Sequence, residues 1–447
     1  MLGVIILIKR NFVMKHRNNI PLNFKEKSNS KISLTASVIV LLLLFALFRQ
    51  IDYNLVQKPA KEAAIKAEKE RIAAEEAANA PIITSVKVAA VGDNTVYSEG
   101  IYESGQHDPE NWNYDHLYEN IKSDVQAADL SIVTQTTVLS SDHETVSSYY
   151  ITPSEVGDAL VNAGFNVIAG ATNSVDDFGK ASIEETIQYW KNSQPDVSLL
   201  GLHETATDAG TITTLTINDI SIALLNYTYG TNKEDNGFMV DLFDKETIAA
   251  AVSSVSSYDC IIMVAHWGDE YTSEVSEYQK QWAAYLMDLG VDVLIGSHPH
   301  VLQPYGRLSD DKGNEMLVFY SLGNFICTSE NLNELLGGMA SFTIEKTVQN
   351  DIASIKLLTP SIAPMVMHYN SSSGIYTSYM LKDYSDDLAY SHEITSYSND
   401  FTLENLNNRF KEIMSENVVP STGTDQLEPA PAETDTSDEE YDEYSEE

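Results

Sequence analysis

The sequence predicts an α/β protein, a mixed β-sheet flanked by helices, preceded by a single membrane-spanning helix. Three observations predict it. From Ile82 onward, short apolar runs alternate with segments whose apolar residues recur at helical spacing. One pair of runs, TTLTI and ISIALLNYT, is separated only by Asn218-Asp219, a hairpin signal that adds an antiparallel pair. Finally, Ile32 to Phe48 are seventeen uncharged, mostly apolar positions, the short end of what spans a bilayer.

The N-terminal segment sets an orientation. Lys9, Arg10, Lys15, Arg17, Lys25, Lys27 and Lys31 precede the apolar run, against Glu26 alone. Positive charge stays on the cytoplasmic side, so residues 1–31 are expected inside and the chain after Phe48 outside. Arg49, Gln50 and Ile51 follow directly, with no small-x-small cleavage pattern, so 32–48 reads as an uncleaved anchor. Residues 49–82 are expected to be a helical stalk. Within them KPAKEAAIKAEKERIAAEEAANA (58–80) is rich in Ala, Glu and Lys, lacks Gly, and ends at Pro81.

The main domain is expected over 83–418. VKVAAVGD (86–93) is an apolar run ending in Gly-Asp, which suits a buried strand. Leu117, Ile121 and Val125 keep helical spacing before the strand LSIVT. SEVGDALVNAG reads as a helix from Ser154 to Gly164, followed by the strand FNVIAG. Ser182 and Glu185 stand in capping-box spacing at the start of SIEETIQYW. DCIIMVAHWG is a buried strand running into His266. The helix SEYQKQWAAYLMDLG gathers Tyr278, Trp282, Tyr285 or Leu286, and Leu289 on one face and stops at Gly290. VDVLIGSHPH and MLVFYSLGNF complete the strands.

Composition excludes some functions. With a net charge of −39 and no basic surplus, nucleic acid is not an expected partner. Asp425 to Glu447 hold eleven acids and no Lys or Arg, so 419–447 reads as a disordered acidic tail. Two cysteines, Cys260 and Cys327, do not make a disulfide scaffold; buried thiols and a single bridge both remain open. There is no Gly-x-Ser-x-Gly or Walker-type loop to support a serine-esterase or nucleotide-motor reading.

The chemistry concentrates at strand ends. His298-Pro299-His300 places two imidazoles at i, i+2 on an extended segment stiffened by proline, a spacing suited to manganese, zinc or iron. Asp93, Asn173 and His266 also follow apolar runs, and sites in α/β sheets gather beyond the carboxyl ends of strands.

On these residues the chain resembles the CapA-type capsule synthesis family, associated with poly-γ-glutamate and placed in the calcineurin-like metallophosphatase superfamily. The resemblance runs over roughly 85–330: Gly92-Asp93, ATNSVDDFG (171–179), HWGDEY (266–271), GSHPHVLQP (296–304) and YSLGNF (320–325). It implies a metallophosphatase-like sandwich of two mixed sheets flanked by helices. It also implies metal ligation by Asp93, Asn173, His266, His298 and His300, with His300 and Asp93 as the catalytic candidates. Asp177, Glu270, Gln303, Gly323 and Asn324 match as residues that shape the site or meet substrate.

Two departures weaken that site. Where the family has Asn-x-Glu, the chain reads Thr134-Gln135-Thr136 and lacks the bridging carboxylate. Where it has Asn-Asn-His, the chain reads Thr172-Asn173-Ser174 and lacks the proton donor. Two divalent cations about 4 Å apart need a shared anion, so a single ion is expected, held by Asn173, His266 and His298. Asp142, Glu144, Asp176 and Asp269 are the acids close enough in sequence to compensate, with Asp176 foremost. The function expected is a membrane-anchored, extracytoplasmic component of capsule or poly-γ-glutamate synthesis or export. It would bind anionic polymer or membrane-bound synthesis and export proteins. The alternative is a single-metal hydrolase or transferase acting on phosphoester or amide bonds of surface polymers.

Overall fold

A computed structural model describes residues 30–108, 111–143, 151–233 and 237–416. The basic segment before residue 30, the acidic tail and Glu144 lie outside the described residues. The chain divides into two compact units, Met1–Ala80 and Pro81–Glu447.

Among its described residues the first unit is helical: α1 (Ser30–Asp52), one π-helical turn at Tyr53–Gln57, and α2 (Lys58–Ala78). Leu34–Ala77 contains an apolar stretch long enough to cross a membrane, none of it buried against protein. Pro59 of α2 follows closely on that π-helical turn, the kind of local irregularity that accommodates a proline within a continuous helical run. The remainder of α2 has no apolar face to bury, and Arg71 bridges Glu68 and Glu75 at 2.9 Å each. Such pairs contribute about 0.3–0.5 kcal/mol apiece and sustain a solvent-exposed helix.

The second unit contains two mixed sheets flanked by helices, as expected. In chain order its main strands are β1 (Ile82–Asn94), β2 (Leu130–Gln135), β3 (Val167–Ala169), β4 (Ser198–Leu200), β5 (Thr213–Ile217), β6 (Ile220–Thr228) and β7 (Cys260–His266). There follow β8 (Val293–Ser297), β9 (Tyr305–Ser309), β10 (Glu315–Phe319), β11 (Asn324–Ile326), β12 (Leu336–Gln349), β13 (Ile352–Asn370) and β14 (Ile375–Met380). The first sheet runs β14-β13-β12-β1-β2-β3-β4, with β11 pairing β1 as well. The second runs β9-β10-β8-β7-β6-β5. In the first, β1 to β4 are parallel; in the second, β6, β7, β8 and β10 are parallel.

Strand periodicity builds the layers. In β7, Ile262 and Val264 join Val88, Ile132, Val293 and Phe319 in the core shared by both sheets. The alternate residues Ile261, Met263 and Ala265 face Trp282, Leu286 and Ile248 on the helices outside. A strand covered on both faces has no polar side, which is why DCIIMVA reads as one apolar run.

Local signals were correct in places and displaced in others. Gly164 and Gly290 end their helices in the left-handed conformation, and Asn218-Asp219 form the hairpin turn with φ of 51° and 62°. The helix Lys180–Ser193 starts before Ser182, so the expected capping box there does not form. Glu185 instead accepts from Ser140 and Ser141. Ser154 opens its helix as the first residue after an N-cap Pro153 rather than capping it. A capping box does form at Ser276 and Gln279. Cys260 and Cys327 are both buried and free, which resolves the open pairing.

Candidate functional site

Parallel strand ends and the loops after them form the site. Asp93, next to last in β1, stands in register with Asn324 of β11 and is fully buried. Its approach depends on Gly92: a Cβ there would stand 1.9 Å from the Gly323 carbonyl oxygen, so only glycine allows β1 this close. His266 ends β7, beside Ser297 at the end of β8. His298 and His300 follow at φ of 95° and 59°, values a non-glycine residue adopts at a cost of order 1–3 kcal/mol. The backbone N–H of His298 donates to Asp93 Oδ2 at 3.0 Å and fixes this turn.

The structure therefore brings the five expected ligand residues together. His266 Nδ1 lies 3.7 Å from Asp93 Oδ1, and His300 Nδ1 lies 3.7 Å from Asp93 Oδ2. The rings of His266 and His298 meet edge-on at 4.8 Å. Asn173 Oδ1 is 2.9 Å from His266 Nε2. Around them, His300 Nδ1 meets Asn324 Oδ1 at 2.8 Å, and Tyr229 covers His298 at 4.6 Å between ring centres.

A hydrogen-bonded chain engages both nitrogens of His266. Thr134 Oγ1 donates to Ser297 Oγ, which lies 3.0 Å from His266 Nδ1. Beyond Asn173, the Asn173 amide donates to Asn232, and Asn232 donates to Asp177. Asp177 is thus an end-post of this chain rather than a member of the cluster. Gln303 is placed differently again. It accepts from Gln279 and donates to the carbonyls of Thr272 and Glu274, so it shapes the loop after β7.

The other side of the cluster is less satisfied. Asp93 Oδ1 and His298 Nδ1 are buried without a hydrogen-bond partner among the described residues. Glu270 Oε1 approaches His300 Nε2 to 3.9 Å. Ligand atoms of Glu270, His298 and His300 lie within 4.8 Å of one another. An ion with bonds of about 2.1 Å would draw them in by less than about an ångström.

Electrostatics suit a cation. Burial pushes the Asp93 carboxyl up to about 6, against the lowering influence of His300 and the His298 N–H. Burial, with neighbouring imidazoles, holds His266 and His298 well below the usual histidine range. Both are therefore neutral near pH 7, the form that ligates metal. Two orphaned buried donors, neutral imidazoles and nearby carboxylates fit a divalent ion.

Thr136 stands where the resemblance implies a carboxylate, and its contacts are those of a packed threonine. Thr136 is buried and bonds to the Asn94 carbonyl and Thr95, while its own carbonyl accepts from Thr172 and Ser174. Asp176, foremost of the expected substitutes, is turned to the Lys233 backbone N–H. Asp142 and Asp269 are exposed. The acid that joins Asp93 beside the paired histidines is Glu270. Its place in HWGDEY was visible in the sequence, but the fold of the 267–275 loop over His300 was not. Tyr229, Asn232 and Ser297 were missed as well; Ser297, directly before the His-Pro-His run, carried the one local signal.

Comparison with known proteins agrees with this arrangement of motifs. The profile of "Bacterial capsule synthesis protein PGA_cap" matches residues 87–329, more than half of the chain. Capsule biosynthesis protein CapA of Bacillus anthracis is 30% identical over 181 residues, 38% of this chain and 42% of that protein. PGA biosynthesis protein CapA of Bacillus subtilis (strain 168) is 29% identical over 175 residues, 37% of this chain and 44% of that protein. The matches thus span less than half the length of these relatives. Among solved structures, the calcineurin-like phosphoesterase YfkN from Bacillus subtilis gives a TM-score of 0.38 at 11% identity, covering 73% of this chain and 100% of that one. A phosphatase from Mycoplasma pneumoniae gives 0.36 at 16% identity, covering 64% and 95%. With its strand-end motifs in order and in contact, the chain belongs to the bacterial capsule synthesis protein family.

Proposed function

We propose that this protein serves capsule or poly-γ-glutamate biosynthesis or export as a membrane-anchored, extracytoplasmic component that holds one divalent ion and binds anionic polymer. The likeness to the two CapA proteins supports the pathway. One observation carries the rest: Glu270 faces His298 and His300, while no acid stands at Thr136. His298, His300 and Glu270 would hold the ion, with the Asp93 carboxylate, whose Oδ2 lies 3.7 Å from His300 Nδ1, beside them. That choice shifts the expected site from the Asn173–His266 side, where both His266 nitrogens are already engaged. A bound divalent ion would supply positive charge to draw in a carboxylate or phosphate.

This charge matters because the chain carries −39 and repels a polyanion at long range. Attraction then has to be local. Tyr271, stacked on His300 at 5.8 Å and half-exposed, offers an apolar wall beside that point. The anchor over 32–48 would keep the domain outside, near membrane-bound synthesis and export proteins, with the N-terminus in the cytoplasm.

The hydrolase alternative rests on one feature, the half-buried His300 between two carboxylates. Asp93 is sealed from solvent, so proton transfer to a substrate would fall to His300 or Glu270. A capsule assay separates the readings. Under the assembly reading, deletion of 32–48 abolishes polymer export, His298→Ala weakens polymer binding and export together, and the purified wild type shows neither phosphoesterase nor amidase activity. Loss of export in His298→Ala, with phosphoesterase or amidase activity in the purified wild type, would instead establish the enzyme.

A further inference from the structure

The last helix among the described residues, Leu403–Met414, lies beyond the segment that matches the family. Leu406 and Ile413 bury in the main core, and Leu403, Phe410 and Met414 pack against it. The same helix presents Arg409, whose guanidinium is half-buried and hydrogen-bonded through each of its three nitrogens. Its Nε donates to Asn333 Oδ1 at 2.9 Å, Nη2 to Ser273 Oγ at 3.0 Å, and Nη1 to Glu412 at 2.8 Å.

Ser273 and Asn333 belong to two different walls of the site. Ser273 is buried in the loop that carries Glu270 and Tyr271. That loop is held from within by Gln303 and by the Tyr271 N–H donating to the Pro299 carbonyl at 2.9 Å. Asn333 lies in the short helix Leu332–Leu335, where the Glu334 carbonyl accepts from Asn324 at 3.2 Å. Asn324 in turn contacts His300 Nδ1. One guanidinium therefore ties the Glu270 loop to the turn that orients His300.

We propose that Arg409 is a positioning residue that sets Glu270 over His300, so that the C-terminal helix completes the ion site. The proposal rests on the His298–His300–Glu270 reading above. Arginine suits this task because its planar fork reaches three acceptors in fixed directions, whereas lysine offers one rotating ammonium. Arg409 touches none of the proposed ligands, so its effect passes wholly through the loop and the turn.

The test uses the full chain in detergent micelles, with Mn²⁺ titration and residue-resolved amide exchange. Arg409→Ala should weaken Mn²⁺ binding about tenfold, as loss of an orienting partner generally does. Amides of 268–275 should exchange about tenfold faster, with those of β7 and β8 unchanged. Arg409→Lys should recover little, and millimolar guanidinium should partly restore Arg409→Ala. Glu412→Ala, which removes only the partner on the same helix, should match wild type in both measurements. Unchanged exchange over 268–275, or faster exchange throughout the domain, would overturn the positioning role. Wild type that binds no Mn²⁺ would end the metal reading, and the exchange measurement would then decide Arg409 by itself.

Discussion

The imidazole of His300 lies between two acids, with Asp93 Oδ2 3.7 Å from Nδ1 and Glu270 Oε1 3.9 Å from Nε2. Thr136 carries no charge, and the second of these acids, Glu270, comes from the loop after β7. In the function proposed above, this loop carboxylate would serve a single ion.

One Mn²⁺ or Zn²⁺ per chain is the expected stoichiometry, read by elemental analysis after dialysis. Glu270→Gln should weaken that binding at least about tenfold, since the donor loses its charge. The exposed neighbour variant Asp269→Asn should leave it unchanged. Two ions per chain would contradict a mononuclear site.

Gly92→Ala should destabilise the domain by about 3 kcal/mol or more, because the added Cβ meets backbone and not a movable side chain. Urea unfolding measures it. Gly210→Ala, where a Cβ meets open space at φ of 90°, should cost only about 1 kcal/mol of backbone strain.

Acid should loosen the C-terminal packing through two buried histidines. Burial holds His368 down at about 4 and His392 at about 3, the latter also through the nearby His368. Their rings lie 5.2 Å apart, His368 against the Tyr384 hydroxyl and His392 against the Met367 carbonyl. Unfolded histidine titrates near 6.5, so between about 6.5 and 4 the unfolded chain takes up protons that the folded chain refuses. Stability is full above that window and falls as pH drops through it, by on the order of 2 kcal/mol for His368 after solvent screening. His368→Gln should flatten the slope by about one proton over this range, measured by denaturant midpoints at stepped pH.

A fragment beginning at Pro81 should fold without the N-terminal helices. The second unit contains its own two-sheet core, whose buried residues run from Val86 to Ile413. Circular dichroism melting within about 2 °C of the full chain would confirm this, since an interface worth 1 kcal/mol moves the midpoint by roughly 2–4 °C.

Much of the fold was legible because its signals are local. Periodicity separated strands from helices, Gly164 and Gly290 stopped their helices, and Asn218-Asp219 set a turn whose φ values few other residues adopt cheaply. The Ser182–Glu185 spacing misled because Lys180 and Ala181 extend the helix toward its N-terminus, and Glu185 finds a better partner at Ser140. Spacing proposes a cap; packing against the neighbouring loop decides whether it forms.

The sequence by itself determined the α/β architecture, the apolar N-terminal helix, and the residue types that meet at the strand ends. It also determined the absence of an acid at Thr136. Tertiary structure alone decided that Glu270 is the acid facing the paired histidines, that Asp176 turns to Lys233, and that Arg409 reaches Ser273 and Asn333. The physical reason is that strand ends inherit their positions from a rigid sheet, whereas loop side chains take theirs from contacts closed between residues far apart in the chain.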